Sequence, residues 1–137
     1  MKRDEILAMK PGRELDRLVG KHVLGCYVKR QSNRSNSLYT LVIPNGVDSI
    51  DWSTEEGAWS GMPPLSTTWE GMRLIDEAMY AKGWMLELSR GGSGYFMASY
   101  NRFLNGVLWS NDSENAQELA PHAGALAALL AREATDD

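Results

Sequence analysis

Few side chains in this sequence stand at the spacings that chemistry requires. His22 and His122 lie a hundred residues apart, and neither has a second His, a Cys or an acid at ligand spacing. A zinc site needs three or four convergent ligands, so no metal and no cofactor is expected. Cys26 is the only cysteine and stands in a short apolar stretch, Cys26-Tyr27-Val28. A catalytic thiol needs an electropositive, partly exposed setting, so Cys26 reads as a small buried hydrophobe. Arg90-Gly91-Gly92-Ser93-Gly94-Tyr95 is rich in glycine, but a phosphate loop leads into a helix N-terminus and here a strand pattern follows. The same stretch lacks the closing glycine of a Gly-x-Ser-x-Gly nucleophile elbow. It reads as a hairpin turn, and no catalytic residue is assigned.

The segment with functional promise is a long loop from Asn45 to Leu65. No Lys or Arg occurs between Ser35 and Met72, while Asp48, Asp51, Glu55 and Glu56 cluster with Trp52 and Trp59. Structureless loops of such length are usually functional or disordered. Tryptophan in an acidic, glycine-containing loop exposes apolar area unless it covers a surface. Two readings stand: a protein-binding hot spot, or anchors that fold back over the loop's own core. The candidate partner-binding residues are Asp48, Asp51, Trp52, Glu55, Glu56 and Trp59.

The elements that must position this loop fit one domain, residues 1–137, of ordinary globular composition, with 43% apolar and 23% charged residues. The lone cysteine fits a reducing cytosol. The charged, amphipathic N-terminus offers no signal peptide and no run has the length of a membrane span, so a cytoplasmic protein without membrane contact is expected. Charge is polarised: nine Lys/Arg face four acids up to Arg34, whereas five face fourteen in the remainder. That asymmetry can steer partners or favour self-association. Strand aromatics Tyr95, Phe96 and Tyr100 lack the basic surround of a nucleic-acid-binding sheet, which disfavours nucleic acid.

Asp4 is placed as the cap of a short helix ended by Pro11, and a second helix from about Arg13 carries Leu15, Leu18, Val19 and Val23 on one stripe. Gly25 fits its left-handed terminator. Cys26–Val28 and Leu38–Ile43 read as strands able to pair as a hairpin across a polar loop. Thr67 with Glu70 forms a capping-box pattern for the clearest helix, whose buried stripe is read as Trp69, Met72, Ile75 and Met79. Trp84–Leu88 and Tyr95–Tyr100 form a hairpin around the glycines, and Val107–Trp109 adds a further strand. A last helix near Pro121 turns Leu119, Ala123, Leu126 and Leu130 inward. The fold class is α+β, a layered α-β-α sandwich with a largely antiparallel sheet.

Three stretches carry a family resemblance. The opening Gly12-Arg13-Glu14-Leu15-Asp16-Arg17-Leu18-Val19, running to Val23-Leu24-Gly25, resembles the start of the phage ABA-sandwich domain family. Leu65-Ser66-Thr67-Thr68-Trp69 is similar to its central helix start, and Leu119-Ala120-Pro121-His122-Ala123 to its closing helix. The sequence departs from the pattern at Thr68-Trp69 and in the acidic loop. The resemblance implies a phage or prophage origin, a layered fold and strand-swapped dimers, and it implies no activity. The expectation is a non-enzymatic accessory protein that binds and inhibits a host protein in the bacterial cytoplasm, with anti-defence or anti-CRISPR action. One alternative is a binder of a nucleotide signal using Arg73, Arg90 or Arg102; another is a small hydrolase or transferase. A homodimer is expected, through the alanine-rich last helix packing on its copy or through strand exchange hinged at Gln31–Ser37.

Overall fold

A computed structural model describes residues 1–32, 37–44, 51–104, 107–110 and 113–135. The N-terminal third is helical: α1 (Arg3–Leu7), then α2 (Arg13–Val19), which widens into a π-helical turn, Gly20–Leu24. Gly25 ends it at φ +78°, the left-handed geometry that glycine adopts without a Cβ clash. Leu15, Val19 and Val23 are buried, as their helical spacing requires. Asp4 is not the cap of α1: the cap position is Lys2, with no side-chain hydrogen bond, and Asp4 lies inside the first turn.

Strands β1 (Tyr27–Ser32) and β2 (Ser37–Val42) pair antiparallel as a separate two-stranded sheet. A short helix follows, α3 (Glu55–Trp59), and then the long α4 (Trp69–Ala81). The second sheet is built on β4 (Phe96–Leu104). One edge of β4 pairs with β3 (Met85–Arg90). Along the other edge lie β5 (Val107–Ser110) and β6 (Asn115–Gln117), end to end. Between them Ser113 mends the ladder with its side chain: its Oγ accepts from Tyr100 N at 2.8 Å and donates to Tyr100 O at 3.2 Å. The glycine-rich segment is the β3–β4 turn, closed by Gly91 N to Tyr95 O, with Gly94 at φ +88°.

The last helix, α5 (Ala120–Thr135), packs on the face of the second sheet that carries Ala98 and Tyr100, and α1, α2 and α4 pack against α5 in turn. Every residue from Ala120 to Ala131 is buried, so this stretch of the helix has no free face for a copy of itself. Leu119 precedes the helix and is exposed, not inward. The α+β class and the largely antiparallel sheet hold as read from the sequence. The opposite face of the second sheet is exposed at Met85, Glu87, Ser89 and Met97.

Two expectations about α4 are corrected. Its cap is Thr68, whose Oγ1 accepts from Gly71 N at 3.0 Å; Thr67 lies outside, and Glu70 pairs with Arg73 on its own helix. The capping-box partner position is therefore Gly71, where a Cβ would come 2.5 Å from Leu65 Cα, so only glycine fits. Met72, Ile75 and Met79 form the buried stripe, but Trp69 is 62% exposed. At about 100° per residue, Trp69 points to the flank shared with Arg73, Asp76 and Tyr80.

Candidate functional site

The acidic tryptophan loop folds back on the hairpin. Asp48 lies outside the described residues. Asp51 is exposed, and its Oδ1 accepts a 2.6 Å hydrogen bond from Thr40 Oγ1 on β2. Trp52 forms an antiparallel bridge with Tyr39, each backbone N–H reaching the other's carbonyl at 2.8 Å, so the loop adds one rung beside β2. The half-buried Trp52 ring lies against α3, where a Cβ on Gly57 would meet its Cε3 at 3.1 Å. Thr54 caps α3 by accepting from Gly57 N at 3.0 Å. This cap was legible as a hydroxyl preceding two glutamates, a pattern that favours a helix start through the dipole.

Trp59 is 8% exposed and joins Cys26 and Leu41 in a second core, with Leu24, Val28, Ile43 and Met62 packed around them. Of the two sequence readings, the structure places Trp59 as an anchor and not as an exposed hot spot. The reason is the β1–β2 hairpin, which leaves the first core and needs an apolar floor of its own. Arg17 covers the ring from α2, its Cζ 5.0 Å from the ring centroid, and its Nη1 reaches Glu56 Oε2 at 2.9 Å. Arg13, Glu14, Arg17, Glu56, Trp59 and Ser60 line a shallow cleft there. All three described carboxylates of the loop, Asp51, Glu55 and Glu56, are exposed, beside the small polar Ser53, Thr54 and Ser60.

The residues set aside in the sequence fall into structural roles. Burial pushes the Cys26 thiol up to about 11, far from the range of a nucleophile. His122 is buried with a ring nitrogen 2.8 Å from Met9 O. The His22 carbonyl accepts from Arg132 Nε at 3.1 Å, and Lys82 Nζ donates to Val23 O at 2.9 Å, so two cations cap the end of the π-helical turn. Arg73 is held between Glu70 and Glu77, Arg90 stacks on Phe96 at 5.1 Å, and Arg102 stacks on Trp84 at 4.6 Å. The three arginines thus each have a different partner within the chain.

Sequence reasoning missed a buried polar tie. Ser66 Oγ accepts from Gly12 N at 2.9 Å and donates to Asp16 Oδ1 at 2.6 Å, and Ser66 N donates to the same carboxylate oxygen at 2.7 Å. Among the described residues no three His, Cys, Asp or Glu side chains are grouped to hold a metal ion, and no helix is long and apolar enough to cross a membrane. Compared with protein-family models, with curated proteins and with solved structures, the chain gives no match in any of the three.

Proposed function

We propose that this chain is a non-enzymatic accessory protein of phage or prophage origin that binds and inhibits a host protein, with anti-defence action. The observation that carries the reading is the clamped acidic segment 51–59. Trp52 is bridged to β2 and Trp59 is sunk in the second core; Glu55 and Glu56 lie exposed between them, and Asp51 lies exposed just before Trp52. Holding the segment at both ends spares a partner the ordering cost of a free loop, which is how preorganisation raises affinity. The cluster of carboxylates selects a basic partner surface and speeds its approach. The resemblance to phage ABA-sandwich domains supplies the biological setting.

The test uses the tagged protein as bait in bacterial extract beside a matched Asp51→Asn, Glu55→Gln, Glu56→Gln variant. The expected outcome is one host protein retained by the parent and inhibited by it in a purified assay. The variant should lose both while melting at the same temperature. Equal retention by the variant would remove the acidic segment from the interface.

A further inference from the structure

The flank of α4 carries an aromatic, two opposite charges and an aromatic, at a spacing that is the same in reverse. Trp69 is 62% exposed and Tyr80 is 70% exposed, with Arg73 four residues inside the first and Asp76 four residues inside the second. At 100° per residue these four side chains fall within a sector of about 60°, along about 16 Å of helix. An antiparallel copy of the helix, turned about a two-fold axis between positions 74 and 75, sets Trp69 against Tyr80 and Arg73 against Asp76. Each pairing occurs twice.

Beside this flank runs an unpaired strand edge. Among the described elements β3 pairs only with β4, and Leu88 on β3 is 38% exposed. The register places Leu86, Leu88 and Arg90 on the same face as Tyr100, Ala98 and Phe96, the face toward the helices. Trp69 meets Phe96 edge-on with ring centroids 6.2 Å apart, and the Arg90 guanidinium lies 5.1 Å from the centroid of the same Phe96 ring. Asp76 stands by Tyr100, whose register partner is Leu86. So α4 and β3 run antiparallel, with Trp69 near the end of β3 and Asp76 nearer its start.

We propose that a second copy of this chain docks on the α4–β3 flank as a two-fold dimer, its β3 adding antiparallel to β3 and its α4 lying against α4. A strand axis through Leu88 sets Leu86 of each copy opposite Arg90 of the other, which brings that arginine toward the acidic Asp76 end of the helix. Charge therefore complements itself at two levels, helix to helix and strand to helix. Arg73 keeps its surface pairs to Glu70 and Glu77 and has further guanidinium donors for Asp76 of the other copy. Self-complementarity of one patch is what a closed two-fold interface requires, and the added strand satisfies backbone groups that an open edge leaves to water. The proposal is independent of the inhibitor reading, because the acidic segment 51–59 is not part of this flank.

The test is the mass of the untagged protein in solution at micromolar concentration, by light scattering. The expected mass is twice the 15.2 kDa of one chain. Arg73→Asp and Asp76→Arg should each weaken the dimer by about tenfold or more, since each sets like charges across the axis twice. The double exchange should restore it, which a merely structural role for either residue would not do. Tyr80→Asp, at an exposed site away from the core, should weaken the dimer with an unchanged circular dichroism spectrum, and it decides the matter if an Asp76 variant fails to fold. A monomeric parent overturns the proposal, as does a dimer indifferent to Arg73→Asp and Tyr80→Asp. A monomer that instead takes a foreign extended peptide along β3 overturns the second copy as occupant.

Discussion

Ser66 and Asp16, fifty residues apart in the chain, share a buried 2.6 Å hydrogen bond that ties the segment before α4 to the second helix. The serine also receives Gly12 N, so one hydroxyl holds both the cap position and the body of α2 to the segment before α4. Ser66→Ala leaves the Gly12 donor without this acceptor and removes one donor from a buried carboxylate. The expected loss is about 1–3 kcal/mol, read as a lower urea midpoint with an unchanged slope. A midpoint equal to that of the parent would show the tie to be replaceable by water.

The cap of α4 separates two adjacent threonines. Thr68→Ala should cost about 1 kcal/mol because Gly71 N loses its acceptor. Thr67→Ala, at an exposed position outside the cap, should lie within about 0.5 kcal/mol of the parent. Denaturation of both variants side by side checks the register, and the reverse order of effects would contradict it.

Trp69, read from the sequence as buried, is exposed, and Trp59, for which the sequence left hot spot and anchor open, is buried. Trp59→Ala empties the second core and should cost about 3–5 kcal/mol. Trp69→Ala removes a largely exposed ring and its edge contact with Phe96, and should cost only about 0.5–1.5 kcal/mol of monomer stability. Thermal melts under dilute conditions, where self-association does not contribute, measure both.

Cys26 gives a pH signature. Its folded pKa is raised by burial from an ordinary 9.0 to about 11. The neutral thiol is therefore favoured in the fold, and its contribution is whole below pH 9.0 and lost as the pH rises toward about 11. The parent should lose more stability across that window than Cys26→Ala does. Native protein should also react with a thiol reagent only as fast as it opens. Identical pH profiles for the two proteins would contradict the burial.

Much of the helical and strand framework was legible in the sequence because it rests on periodicity and punctuation. Leu15, Val19 and Val23 are buried at helical spacing, Gly25 terminates, and the glycines after Arg90 turn a hairpin. Trp69 was misread because it lies about 60° from Met72, the near edge of the core stripe, where its ring meets Phe96 edge-on yet stays largely exposed. Thr68 was passed over because the capping-box pattern rewards Glu70, while the packing of Gly71 on Leu65 sets the register, and that contact is tertiary. The second core was illegible for a similar reason. Cys26 just before β1, Leu41 on β2 and Trp59 on α3 are scattered along the chain, and the hairpin's departure from the main body gathers them. Whether the acidic loop is exposed or folded back was open in the sequence, because the contacts that decide it, Trp52 to Tyr39, Thr40 to Asp51 and Arg17 to Glu56, are tertiary.

The claim that the acidic segment is the partner surface is tested most directly by site-specific photocrosslinking in living bacterial cells. A crosslinking residue replaces Glu55, on the clamped segment, or Ala116, exposed on β6. The account predicts one dominant host protein attached through position 55 and absent from position 116, with its activity lowered in the same cells. The same products from both positions, or none from position 55 while the protein remains folded and expressed, would contradict it.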